Sequence, residues 1–171
     1  MNRLSILQVV SFFLYLLVQV VLLKNVVLFQ TAVCFLYVAY LLLLPVDSTP
    51  MVLLTLGFIM GFVIDIFYDS LGLHAFSCIF IMYIRNYWLN LITPQGGYDS
   101  NVTPSLAMNG IQWFLVYSMP LIFIHHALLF YTEAGGFDLF CLTLWKVLFS
   151  TLFTTLVIVI TQYLFPDRRR I

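Results

Sequence analysis

Six long stretches of this chain contain no Lys, Arg, Asp or Glu: Leu4 to Leu23, Val26 to Val46, Ser48 to Ile64, Ser70 to Ile84, Asn101 to Ile124 and Val147 to Pro166. Most approach the roughly 20 apolar residues that carry a helix across a bilayer. The two shorter ones lengthen if an acid or arginine is tolerated near a helix end. The expected spans are 4–23, 26–45, 50–68, 71–91, 104–130 and 139–165. With 63% apolar and only 8% charged residues, and a mean hydropathy of +1.07, the chain has more apolar surface than a soluble domain can hide. Six helices of about 20 residues use most of the 171 positions. The predicted fold is an all-α integral membrane protein, one compact six-helix bundle over 1–171, with no room for a soluble catalytic domain. The first run is longer than a signal-peptide core and lacks a small-x-small cleavage site, so it is expected to stay as a span. Net charge is zero and no basic stripe is present, which argues against a nucleic-acid partner.

Turn chemistry falls where the hydropathy breaks. Lys24-Asn25 suits a tight exit from span one. Thr49-Pro50 and Thr103-Pro104 each read as a Thr N-cap with Pro at the first helical position. Asp69-Ser70 is expected to cap span four, and Gly135-Gly136 with Asp138 to break the chain before span six. The segment 92–104 is the one sizeable loop. Placing both termini in the cytoplasm puts Arg3, Arg85 and Arg168 to Arg170 inside and Lys24 and Lys146 outside, as the positive-inside rule favours.

The run GFIMGFVIDIFYDSLGLHAF, residues 57 to 76, is apolar enough for lipid yet holds two glycines, two aspartates and a histidine. Gly57, Gly61 and Asp65 follow at i, i+4 and i+8, so they share one helix face, and the glycines form a groove where another backbone can approach. An aspartate inside a span costs a few kcal/mol unless it is partnered or near an interface. Asp65 is therefore expected to order the turn between spans three and four, to contact another protein, or to bind a solute or proton. Arg85 lies some 15 Å deeper than Asp65 at 1.5 Å per residue, so it is expected instead to snorkel to lipid headgroup phosphates.

That run resembles the third-span signature of the bacterial rod shape-determining membrane protein MreD, with Gly57, Gly61, Asp65 and the Leu71-Gly72 turn at the matching positions. Gln19 late in span one and Leu44-Pro45 closing span two fit as well. The resemblance implies a non-enzymatic scaffold in the bacterial cytoplasmic (inner) membrane that binds the bitopic protein MreC. It also implies linkage to the actin-like MreB and to peptidoglycan synthesis, which maintains rod shape. The helical core it implies is similar to the substrate-binding subunits of energy-coupling-factor transporters, and a solute-binding transport subunit is the alternative function.

Other constellations have plainer readings. Gln8, Ser11, Tyr15 and Gln19 draw a polar stripe down span one, suited to intramolecular packing or to docking a partner span. His74, His125, His126, Asp65, Asp69, Glu133 and Asp138 gather toward the outer side. Yet no HxxxH or HxxE spacing aims them at one point, and adjacent His125 and His126 diverge by about 100° on a helix, so no metal or cofactor is expected. Cys34, Cys78 and Cys141 read as buried free thiols. Pro120 should kink span five, and Lys146 should snorkel outward. No HExxH, GxSxG or P-loop occurs, and no catalytic residue is assigned.

Overall fold

The computed structural model describes residues 6–98, 102–136 and 138–165. Arg3, Asp99, Asn101, Pro166 and Arg168 to Arg170 lie outside the described residues, and with them most of the charge bias behind the expected orientation. The chain is mostly helical. Helix α1 (Ile6–Leu17) continues as a π-helical stretch, Val18–Leu23; strands β1 (Val27–Leu28) and β2 (Ala32–Val33) form an antiparallel hairpin. Then come α2 (Tyr37–Leu42), α3 (Pro50–Tyr68), α4 (Leu73–Leu91), α5 (Leu106–Glu133) and α6 (Phe140–Leu164). Among the described residues, four stretches are long and apolar enough to cross a membrane: 6–23, 50–68, 110–133 and 140–164. The antiparallel pairs α3 with α4, α4 with α5 and α5 with α6 make the frame.

The expected second span is where sequence and structure part. Residues 26–45 form no continuous helix; they make the hairpin, an extended stretch and the six-residue α2, every residue of which is buried. Irregular backbone at membrane depth is tolerated only when protein surrounds it and satisfies its polar groups. Here side chains from distant helices do so. Ser150 accepts from the Val33 N–H at 3.0 Å, Thr154 from Phe35 N–H at 3.2 Å and Gln19 Oε1 from Tyr37 N–H at 3.3 Å. Gln19 Nε2 donates to the Cys34 carbonyl at 3.1 Å, so one amide side chain stands in for a neighbouring strand.

The helix ends follow local chemistry, with partners the sequence did not name. Pro50 occupies the first turn of α3 after Thr49, whose hydroxyl makes no capping bond. Helix α5 starts after Ser105, not after Thr103, and its Leu106 N–H donates to Gln162 Oε1 of α6 at 2.7 Å. Within α5 the backbone leaves helical dihedrals at Gly110 (φ 81°, ψ 177°), a conformation glycine adopts freely, and not at the expected Pro120. Pro120 has no N–H for the carbonyl of Val116, four residues back. That carbonyl instead accepts the indole N–H of Trp88 from α4 at 3.2 Å.

Candidate functional site

The α3–α4 hairpin is built on one close approach. A Cβ placed on Gly61 would lie 2.5 Å from the Ala75 Cα and 2.6 Å from both the Ala75 nitrogen and the His74 oxygen, all backbone atoms. At Gly57 the nearest atom is Met82 Cγ at 3.0 Å, the mobile part of a side chain. The two glycines are therefore unequal: Gly61 sets how near the helices come, while Gly57 lies on the same face under looser contact. Beyond them the Asp65 carboxylate accepts the main-chain N–H of His74 at 3.0 Å, that of Ala75 at 2.9 Å and the Ser70 hydroxyl at 2.6 Å. A buried anion thus caps the N-terminus of α4, where unpaired N–H groups and the helix dipole favour negative charge. The capping acid is Asp65, and the expectation that Asp69-Ser70 would do it is corrected. Asp69 is exposed, ends α3 in a left-handed conformation (φ 56°), and contacts none of the histidines. Leu71 and Gly72 form the turn at φ 49° and 91°, with the Leu71 side chain 98% exposed.

Arg85 is the clearest correction. It is fully buried and reaches no lipid surface. Its Nε donates to the Tyr117 hydroxyl at 2.8 Å, and its Nη2 donates to the carbonyl of Leu44 and, at 3.5 Å, to that of Leu42. Tyr117 donates to Leu42 as well, at 2.8 Å. The physical reason is at the end of α2: its last carbonyls have no helical donor and Pro45, with no N–H, follows. A guanidinium, with five donors and a positive charge suited to a helix C-terminus, fills that need. Among the described residues Arg85 meets no carboxylate; the one ion pair is Lys146 with Glu133, at 3.0 Å. Lys146 also sits 4.1 Å from the Phe130 ring centroid, so it folds back onto the protein and does not simply snorkel away.

Three histidines meet around the extended segment that precedes α2. The Tyr37 hydroxyl lies 2.7 Å from His74 Nδ1 and 2.9 Å from His125 Nε2. His126 holds the Ile122 carbonyl at 2.8 Å and the Thr154 hydroxyl at 3.2 Å. All three rings stand 5.1–6.1 Å from the Phe35 ring. His125 and His126, expected to diverge, do so, but each finds a separate partner on the same segment or the helix behind it. Asp65 approaches His74 only through the main chain, and Asp69, Glu133 and Asp138 stay at the exposed rim. Among the described residues no group of three His, Cys, Asp or Glu is arranged to hold a metal ion. Cys34 and Cys78 are buried, whereas Cys141, expected to be buried too, is exposed.

Of the span-one stripe, Gln19 is buried and bonds the extended segment and the Tyr68 hydroxyl (2.8 Å). Tyr15 lies against the Tyr40 ring at 6.4 Å, and Gln8 and Ser11 are half-buried. The stripe faces inward, and the exposed side of α1 is apolar: Val10, Phe13, Leu14 and Leu17. The residues that sequence reading missed are Tyr37, Tyr117, Ser150 and Thr154. Ser150 and Thr154, one helical turn apart in an apolar helix, were the available signal. Gln19→Leu removes the partner of one buried N–H and one buried carbonyl, so it should cost about 2 kcal/mol, read as a lowered thermal midpoint in detergent with Val10→Ala, on the exposed side of α1, as the tolerant control.

In comparisons with protein-family models, curated proteins and solved structures, no match to this chain was found. Its chemistry must be read from the geometry alone. A groove of about 580 Å³ lies beside Ala127, Leu128, Tyr131, Thr132, Gly135 and Gly136, and another of about 350 Å³ beside Asp47, Asn86, Asn90, Thr93 and Tyr98. Both open to the surface, and no histidine lines either of them.

Proposed function

We propose that this chain is a non-enzymatic membrane scaffold of the MreD type, which binds a bitopic, MreC-like partner by helix packing and helps position peptidoglycan synthesis. In this reading residues 26–45 and α4 complete six crossings, and the core is similar to that of energy-coupling-factor substrate subunits. The protein sits in the bacterial inner membrane with both termini cytoplasmic and connects, directly or through its partner, to the MreB machinery. One observation carries the proposal: a set of buried polar side chains around the broken segment bonds the protein's own backbone. Gln19, Arg85, Tyr117, Ser150 and Thr154 satisfy the broken segment, and Asp65 caps α4. A transport subunit needs an enclosed pocket with a few convergent polar groups, and an intramembrane hydrolase needs an acid within reach of a histidine ring. The signature Gly57, Gly61, Asp65, Leu71 and Gly72 adds support through its resemblance.

The transport alternative retains one favourable observation, since broken helices near the bundle centre are how many transporters build their sites. Affinity purification in mild detergent followed by mass spectrometry separates the two. A single-span protein recovered in stoichiometric amount is the expected outcome. Recovery of an ATPase module, or of a bound small molecule without a protein partner, would reverse the assignment.

A further inference from the structure

Helix α4 carries a polar patch at the end opposite its Asp65 cap. The helix runs antiparallel to α3, with Ala75 against Gly61 and Cys78 and Met82 against Gly57. Continued at the same rise, that pairing brings Asn86 and Asn90 level with Pro50 and the turn before it. The 19 residues of α3, at about 1.5 Å each, match the thickness of the hydrocarbon core, so the Pro50 end lies at a membrane interface. Tyr83, Asn86, Tyr87 and Asn90 recur at steps of 3, 1 and 3 and share one face of α4. Tyr83 and Tyr87 are exposed, with ring centroids 5.6 Å apart, in the manner of the aromatic belts that mark headgroup level. In a membrane, lipid headgroups cover this patch.

Beside the patch lies the groove of about 350 Å³ that Asp47, Asn86, Asn90, Thr93 and Tyr98 line, within the size range of small-ligand sites. Its polar atoms are mostly acceptors. The Thr93 and Tyr98 hydroxyls both donate to the Leu89 carbonyl, at 2.9 and 3.1 Å, which leaves their oxygen lone pairs for other donors. Asn86 Oδ1 is buried and has no donor among the described residues, a condition folded proteins rarely tolerate. Asp47 brings a carboxylate, and among the described residues no Lys, Arg or His lines the groove. Arg85, next to Asn86 in sequence, turns its Nε and Nη2 inward to Tyr117, Leu42 and Leu44.

A ligand matched to these groups brings hydrogen-bond donors and positive charge, and is present at headgroup level. We infer that the groove binds the primary ammonium of an aminophospholipid headgroup. Asp47 is its counter-charge, Asn86 Oδ1 is the buried acceptor that it satisfies, and the Thr93 and Tyr98 oxygens line the rest of the site. A primary ammonium carries three donors on a compact centre, whereas the trimethylammonium of a choline lipid carries none. An anionic lipid would meet the Asp47 carboxylate with no cation lining the groove to offset it. The site requires only the membrane, so it stands or falls independently of the scaffold reading and its partner.

The test is competitive lipid retention. The protein, purified in mild detergent, is given equimolar phosphatidylethanolamine, phosphatidylcholine and phosphatidylglycerol of one acyl composition, and the bound lipid is read by native mass spectrometry. Phosphatidylethanolamine should be retained over phosphatidylcholine about tenfold, the effect of one hydrogen bond to a charged group. Asp47→Asn and Asn86→Leu should each abolish that preference, while Asp69→Asn, the same charge change at the other end of α3, should leave it unaltered. Because each preference is measured within one variant, a change in stability does not move it. Equal retention of phosphatidylethanolamine and phosphatidylcholine by the parent would overturn the inference, as would a preference that both groove variants keep. Preferential retention of phosphatidylglycerol would also overturn it and point to Arg85, whose Nη1 has no partner among the described residues. Carbodiimide treatment of intact membranes gives a second reading, since it joins a carboxylate to an amine in contact with it. An Asp47 adduct of aminophospholipid mass supports the site, whereas an Asp47 link to a protein lysine would assign the groove to a partner instead.

Discussion

Gly61→Ala should destabilise the protein by at least about 2 kcal/mol, whereas Gly57→Ala should be close to neutral. In an ordinary helix the change to alanine would help, by up to about 1 kcal/mol of propensity. At Gly61 that gain meets a methyl group 2.5 Å from the Ala75 Cα and 2.6 Å from two further backbone atoms, and backbone has no rotamer to move aside. Relief requires the whole of α4 to shift away from α3, loosening the buried contacts of Ile64, Cys78 and Ile81. At Gly57 the obstruction is the flexible Met82 side chain at 3.0 Å, with the Cys78 carbonyl at 3.3 Å, so a small adjustment accommodates the methyl. Gly61→Leu should fail to give a detergent-stable protein, while Cys78→Ala should be tolerated far better. Thermal midpoints of the four variants in one detergent make the comparison, and equal tolerance at Gly57 and Gly61 would remove the close approach from the account.

The second large effect belongs to Asp65. Asp65→Ala leaves the His74 and Ala75 N–H groups and the Ser70 hydroxyl without their acceptor at the start of α4. Hydrogen bonds to a charged group are worth about 1.5–3 kcal/mol each and a lost cap costs about 1 kcal/mol, so a net loss near 3 kcal/mol remains after the carboxylate's own desolvation is credited. Asp65→Asn keeps one acceptor oxygen and the side-chain volume but turns N–H groups toward the N–H groups of α4, and should fall between alanine and the parent. Asp69→Asn, at an exposed left-handed position that asparagine also adopts, should change the midpoint little. If Asp65→Asn and Asp69→Asn behave alike, the carboxylate does not hold the turn.

Much of the frame could be read from the sequence, and the reason is visible in the residues. The span expected over 50–68 is α3, Pro50–Tyr68, because Pro50 fixes the start and the charge-free run fixes the length. The span expected over 139–165 is α6, Phe140–Leu164, for the same reason of length. Residues 26–45 defeated that logic. Hydropathy records only that a segment is apolar, and a broken segment enclosed by protein, as Ala32 to Leu44 largely is, reads the same as a spanning helix. What distinguishes the two is the set of donors and acceptors supplied by Ser150, Thr154, Arg85 and Tyr117, all remote in sequence.

Arg85 illustrates the same gap. Arithmetic at 1.5 Å per residue gave its depth along α4, but not its direction, which the orphan carbonyls of Leu42 and Leu44 determine. The pair Leu44-Pro45 held that information, since a carbonyl beside a proline at the end of a short helix needs a donor from elsewhere. Gln19 was singled out as polar in a greasy helix, yet its role depended on knowing that Tyr37 and Cys34 had no helical partners. Within the candidate site, residues adjacent in sequence were legible and those joined across the bundle were not.

The central claim is that a broken segment, Val33 to Leu44, is sealed inside the bundle by side chains that bond its main chain. Hydrogen–deuterium exchange of the solubilised protein tests it most directly, because exchange reports whether a buried amide is reached by water. The amides of Val33, Phe35 and Tyr37 should exchange as slowly as those in the middle of α3, and Gln19→Leu should accelerate Tyr37 selectively. Exchange of all three as fast as the exposed hairpin tip at Phe29 and Gln30 would mean a water-filled cavity where the account places a packed core, and the scaffold reading would lose its footing.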